Sequence, residues 1–261
     1  MENNGIKPPP QKYKIDALLK ADAVLLELVH EDRQTFTQLQ QRLPYGKATL
    51  YRILDSLLAL DFISKETPGN RYRLGWGLAY YGLKFLSRID VISFVEVYLQ
   101  ELADQVKERV NLSVRSGENI MIIKSFNSES SVLTASISPL TPMYCSASGK
   151  IFLANMPREE VVEYFNSLSC EKKTAFSITS YAQIEQELES ARLSNIAFDW
   201  EENEYGLICI ASSFIYSPDG KRYCVSISGP RSLLEIKGVG RYQQKLIECI
   251  DVINKKMIEL R

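Results

Sequence analysis

Cys145, Ser146, Ser148 and Lys150 crowd into one short segment of the second half of the chain, and all four are types that take part in covalent chemistry. Their spacing does not fit the uses it would have to serve. Ser146 and Lys150 are four apart, where an S-x-x-K nucleophile needs three. SASGKI lacks the first glycine and the final Ser or Thr of a phosphate-cradling loop. A Ser or Cys nucleophile also needs a base, and the single histidine, His30, closes a helical stretch near the N-terminus, where it favours the helix dipole rather than chemistry. The five cysteines (145, 170, 209, 224 and 249) show neither C-x-x-C pairing nor metal-ligand spacing. An enzyme built on the 145–150 cluster is therefore the weaker alternative, and no catalytic residue, metal or cofactor is expected.

A second set of residues suits recognition of nucleic acid. Lys47, Ala48, Thr49, Tyr51 and Arg52 follow Pro44-Tyr45-Gly46, and Lys65, Arg71 and Arg73 flank Thr67-Pro68-Gly69-Asn70. Short, hydroxyl and basic side chains at the start of a helix can reach base edges in the major groove. Cations on a small hairpin suit phosphates or the minor groove.

The elements that would position this set are legible. Thr35 and Gln38 have capping-box spacing and predict a helix from Phe36 to about Leu43. Pro44 to Gly46 turn the chain. Leu50, Ile53, Leu54, Leu57 and Leu58 then form one apolar stripe of a second helix. Phe62 to Glu66 and Arg71 to Leu74 read as the two strands of a wing. Helix, turn, helix and basic wing in this order predict a winged helix-turn-helix that binds double-stranded DNA. An ordinary helical hairpin with a solvated charged face, or a winged helix that binds protein, are the alternatives.

A chain of 261 residues is long enough for two domains. Its formal net charge of −1 excludes only a uniformly basic nucleic-acid binder. Residues 1–75 carry a slight excess of Lys and Arg over Asp and Glu, so DNA binding must rest on local placement and on dimerisation. The N-terminus has no apolar signal region and no apolar run reaches bilayer length, which predicts a cytoplasmic protein without a membrane partner.

Residues 1–12, with Pro8-Pro9-Pro10, read as a disordered tail. Ile15 to Val29 is a supporting helix, so the DNA-binding domain spans 13–75. Trp76 to Ser87 is a helix apolar on too many sides to stand alone, and residues 76–90 are read as a linker that makes an intersubunit contact. From 91 to 261 the pattern predicts a helix from Ser93 to about Lys107, and strands on either side of Ser116 to Asn119. A third strand is expected at Val132 to Ile137. Helices follow from the SASGK segment, from Pro157 as first helical residue, and from Tyr181 to Ser194. Strands Ile196 to Trp200, Leu207 to Tyr216 and Arg222 to Ser228, and a last helix from about Gly240 to Leu260, complete an α+β chain with an antiparallel sheet.

KATLYRILDSL, RYRLGWGLAYYG, SASGKIFLA, DWEENEYG and SISGP, in this order and spacing, resemble the IclR-type bacterial transcription regulators over nearly the whole chain from Ile15. The resemblance implies a winged helix, a dimerising linker helix and a C-terminal effector domain similar to GAF and PAS folds. It also implies DNA binding as a homodimer or dimer of dimers, altered by a small metabolite. Carried over by position, the metabolite pocket comprises Met143, Tyr144, Ala147, Ser148, Gly149, Asp199, Leu207, Cys209, Ser226 and Ser228. Tyr144, Trp200 and Ser213 depart from residues common in similar regulators (His, Asp and Pro).

The types make sense as a site for a small organic acid. Ser148 and Gly149 at a helix start offer amides to an anion, Ser226 and Ser228 share one face of a strand, and Leu207 and Met143, with Phe214 as a further candidate, supply apolar walls. Asp199 must then accept from a ligand hydroxyl, stay protonated or bond to the protein. Ordinary strand hydroxyls and an Asp that caps a turn are the alternative. Lys150 is expected to interact with the acidic loop or the helix surface.

Overall fold

The computed structural model describes residues 15–129, 138–168 and 170–259. The chain divides into two compact units at Ile89/Asp90. The tail expected at 1–12 and the strand expected at Val132 to Ile137 lie outside the described residues.

In the first unit α1 (Asp16–His30), α2 (Phe36–Arg42) and α3 (Lys47–Ala59) are followed by β2 (Ile63–Glu66), β3 (Arg71–Leu74) and α4 (Trp76–Leu86). The Thr35 hydroxyl accepts from the Gln38 amide, and the Gln38 side chain accepts from the Thr35 amide at 2.8 Å, so α2 starts on the expected capping box. Leu50, Ile53, Leu54 and Leu57 of α3 are buried with Val24, Leu28 and Leu39, and Leu58 packs at the edge of this core. A two-residue strand that periodicity cannot detect, β1 (Gln34–Thr35), pairs with β3 and completes a three-stranded sheet of order β1-β3-β2. Gln34 is fully buried because its side-chain amide donates to the carbonyls of Glu27 and Glu31 at the end of α1. The Glu27 carbonyl also accepts from the Glu31 amide, whereas the Glu31 carbonyl is one that the helix end leaves without an intrahelical partner.

The second unit is a six-stranded antiparallel sheet of order β6-β5-β4-β9-β8-β7. Its strands are β4 (Arg109–Ser116), β5 (Asn119–Phe126), β6 (Leu140–Pro142), β7 (Ala197–Trp200), β8 (Leu207–Tyr216) and β9 (Lys221–Pro230). One face, carrying Ile120, Ala197, Ala211 and Cys224, packs on α6 (Ala147–Ala154), whose eight residues are all buried, and α8 (Tyr181–Ser194) packs behind α6. The alternation of strands turns Ile208, Ile210, Val225 and Ile227 to the other face, which is covered by α5 (Asp90–Val106) and α10 (Val239–Glu259).

Three details differ from expectation. α5 starts three residues earlier than Ser93, with Val91 already in the core. Pro157 is the N-cap of α7 (Arg158–Ser167), with ψ 143°, rather than its first helical residue. A short helix, α9 (Arg231–Lys237), directly follows β9, where the sequence shows less than two turns of pattern.

Candidate functional sites

In the first unit, α3 is held by its apolar stripe, so the opposite face is free. Lys47, Ala48, Tyr51 and Arg52 are exposed there and Thr49 is half-buried. The Tyr51 ring stacks on Phe36 of α2 at 4.1 Å, which ties the exposed face of α3 to the preceding helix. In the wing, Lys65 and Arg71 are exposed, and the Lys65 ammonium sits 5.3 Å from the Tyr72 ring centre. Arg73 is less available than its type suggests: its guanidinium donates to Ser64 Oγ at 3.2 Å and lies 3.5 Å from Glu66. Among the described residues Lys47, Arg52, Lys65 and Arg71 make no ion pair. No carboxylate competes with a polyanion for these four cations.

In the second unit, a cleft with about 390 Å³ of free space opens between the start of α6 and the sheet. The sheet gives Asn111 from β4, Ile120 and Ile122 from β5, Thr141 from β6, Leu207 and Cys209 from β8, and Ser226 and Ser228 from β9. Ser146, Ala147 and Ser148 come from the entry to α6, and Asp199 and Asn203 from β7 and the loop after it. Register explains the convergence: Asp199 lies opposite Cys209, Cys209 opposite Ser228, and Ser226 opposite Asn111. One polar row thus crosses four strands.

Seven of the ten positions expected here line the cleft, and the other three need correction. Met143 is fully buried in the core under α6. The Tyr144 hydroxyl donates to the Glu171 carbonyl at 2.7 Å, and the ring packs in that same core. Gly149 offers no free amide, because Ser146 is the helix cap and its hydroxyl accepts from the Gly149 N–H at 3.2 Å. Gly149 is needed for another reason: a Cβ there would overlap the Met143 backbone. The amides of Ala147 and Ser148, one step earlier, have no acceptor among the described residues and are the ones a ligand can use. Phe214 lies on the opposite face of β8 from Cys209 and stacks on Tyr223. Asn111, Ile120, Ile122, Thr141, Ser146 and Asn203 were not expected in the cleft. An Asn inside the run NLSVRS was the one available signal, since a polar amide in an apolar strand must find partners.

Asn111 finds them. Its Nδ2 donates to Ser228 Oγ at 3.2 Å, and Ser125 Oγ donates to its Oδ1 at 2.8 Å. Cys209 Sγ lies 3.2 Å from the same Ser228 hydroxyl. The Ser226 hydroxyl has no hydrogen bond among the described residues. Asp199 is 2% exposed and accepts from the Glu202 amide at 2.7 Å, so it does cap a turn. Burial, and then the charge of Glu202, push its pKa up to about 7. Near neutral pH it can hold a proton and act as a donor.

Lys150 points away from the cleft. Its ammonium, 1% exposed, lies 2.5 Å from Glu202 and 2.6 Å from Glu187, so it does reach the acidic loop. The cleft consequently has no lysine or arginine in its lining. Burial pushes the Cys145 thiol up to about 12, which leaves it a poor nucleophile.

Comparison with known proteins identifies the family. Residues 83–255 match the family model described as bacterial transcriptional regulator IclR C-terminal. The HTH-type transcriptional regulator KdgR of Dickeya chrysanthemi is 29% identical over 202 residues, covering 77% of this chain and 66% of that protein. The DNA-binding transcriptional repressor YiaJ of Escherichia coli K12 is 30% identical over 216 residues, covering 81% and 77%. An IclR homologue from Microbacterium hydrocarbonoxydans, crystallised with 4-hydroxybenzoate, superposes with a TM-score of 0.74 at 18% identity over 93% of this chain and 99% of its own. No helix among the described residues is long and apolar enough to cross a membrane. The relatives regulate transcription and are not enzymes, and this chain belongs with them to the IclR family of DNA-binding transcription regulators.

Proposed function

We propose that this protein controls transcription by coupling operator binding through α3 and the β2–β3 wing to a small hydroxylated carboxylate bound in the cleft beneath α6. The lining of the cleft carries the reading. Eight of its side chains are polar (Asn111, Thr141, Ser146, Ser148, Asp199, Asn203, Ser226 and Ser228), none is aromatic and none is cationic. A carboxylate can be held without a cation where helix N-terminal amides point at it, and the free amides of Ala147 and Ser148 suit that role. Ligand hydroxyls would then meet Asn111, Ser226, Ser228 and a protonated Asp199, with Leu207, Ile120 and Ile122 as the apolar wall.

The family relative with 4-hydroxybenzoate favours a second reading, an aromatic acid. The polar lining speaks against it, because buried hydrogen-bonding groups left unpaired reject an analogue that lacks the matching hydroxyls. Thermal shift against aliphatic hydroxy acids, sugar acids and 4-hydroxybenzoate separates the two, since a ligand that binds only the folded state raises the melting temperature. A shift from 4-hydroxybenzoate alone would refute the hydroxylated aliphatic class. The functional unit is proposed to be a homodimer, or a dimer of dimers, joined through α4. Trp76, Tyr80, Tyr81, Leu83 and Phe85 of that helix are all more than half exposed in the single chain.

A further inference from the structure

A second cavity, of about 90 Å³, lies where the α5–β4 turn meets the α9–α10 turn, on the side of the sheet away from the cleft. Three of its six lining residues, Lys107, Lys237 and Arg241, are cations. Only Lys237 has a carboxylate partner among the described residues, Glu108 Oε1 at 3.3 Å. Two buried polar groups adjoin them with unmet hydrogen bonds. Tyr242, which lines the cavity, is 2% exposed, and its hydroxyl, beside the Lys237 ammonium, has no acceptor for its proton. Glu108 is fully buried and its Oε2 has no partner. Gly229 makes room for this carboxyl, since a Cβ there would come within 2.9 Å of Oε2.

Such orphans inside a protein are uncommon and costly. Here they are complementary, an acceptor and a donor flanked by excess positive charge. What satisfies all of them must be negatively charged and must also carry a proton to donate. We propose that this corner binds a protonated oxyanion, inorganic phosphate being the ligand that fits. Its P–OH donates to Glu108, its other oxygens accept from Tyr242 and Lys237, and Lys107 and Arg241 balance the remaining charge. The start of α10 adds a positive dipole end, and the end of α5 at Val106 opposes it with about half a charge, less than any one of the cations.

The proposal predicts discrimination against sulfate, which has the same size and charge but no proton at neutral pH. Burial raises the Glu108 pKa and the Lys237 ammonium pulls it back, so the carboxyl is best able to accept on the alkaline side, and at pH 8 phosphate still carries one proton. The test is calorimetric titration of the full chain at pH 8 with phosphate, sulfate and glycerol 3-phosphate at matched ionic strength. Phosphate should bind at one saturable site, at least about tenfold tighter than sulfate, the value of one charge-assisted hydrogen bond. Replacing the exposed pair, Lys237→Met with Arg241→Met, should weaken phosphate at least about tenfold. Glu108→Gln, which offers an amide donor, should abolish the preference over sulfate. Equal affinity for phosphate and sulfate, or a Lys237/Arg241 variant that binds phosphate as the wild type does, would mean that the cavity holds water only and would overturn the proposal. Glycerol 3-phosphate binding as tightly as phosphate would overturn free phosphate in favour of a phosphate monoester.

Discussion

Lys150→Met is the sharpest test of how the acidic loop is held. The Lys150 ammonium is 2.5 Å from Glu202, whose side chain is only 4% exposed, and 2.6 Å from Glu187, whose side chain is 47% exposed. Glu187 can return to water, whereas Glu202 cannot. Breaking a buried pair by removing one partner costs about 3–5 kcal/mol, because the other charge is left uncompensated. Protonation sets the ceiling on that loss. Burial already raises the Glu202 pKa, with Lys150 the main opposing influence, so the variant raises it further. A carboxyl with a raised folded pKa favours the fold below its unfolded pKa and loses that contribution as pH rises through the folded value. The deficit of Lys150→Met should therefore be small near pH 4 and largest near pH 8. Adding Glu202→Gln removes the stranded charge and should recover most of the loss, about 2 kcal/mol or more. Urea unfolding at both pH values, followed by Trp200 fluorescence in the second unit, measures all four corners of the cycle. A loss below about 1 kcal/mol at pH 8, or a double variant no more stable than the single, would refute a buried charge at Glu202.

Asp199→Asn keeps an oxygen for the Glu202 amide but cannot ionise. With the Asp199 pKa near 7 against a usual 3.8, the wild type loses up to ~4 kcal/mol as pH rises through 7. The variant should be the more stable at pH 8 and no different near pH 4, and a difference independent of pH would contradict the raised pKa. Arg52→Ala and Lys47→Ala should each weaken specific DNA binding by about 1–3 kcal/mol where they read bases. Arg71→Ala should instead lower the salt dependence by about one phosphate contact; fluorescence anisotropy against the chain's own upstream DNA tests all three. Sedimentation at micromolar concentration should find a homodimer, its recognition helices roughly 34 Å or a multiple apart on DNA. Trp76→Ser with Phe85→Ser should weaken it, and a monomeric wild type would exclude α4 as an interface.

The first unit could be read closely from the sequence because its determinants are local. A capping box, a five-residue apolar stripe and a turn fix α2, α3 and the wing within a few residues of one another. The cleft was legible only in part. Ser226 and Ser228 alternate on one strand, so their common face followed from spacing. That Asn111 stands opposite Ser226 depends on β4 pairing with a strand more than a hundred residues later, which no local pattern encodes. Met143 and Tyr144 mislead because an apolar or aromatic residue before a helix can turn to a core or to a ligand. Here the close approach of Gly149 to the Met143 backbone turns both inward. Composition alone makes the Gly149 amide look free, but Ser146, three residues before it, is the cap that takes it.

The most direct test is operator binding by the wild type and by Ser226→Ala with Ser228→Ala, side by side, titrated with the carboxylate that raises the wild-type melting temperature most. Coupling between the two sites should change wild-type DNA affinity by about 5–150-fold. The double variant should bind DNA as tightly as the wild type without ligand and show no change with it. A double variant that responds to the ligand as the wild type does would contradict the placement of the effector in this cleft.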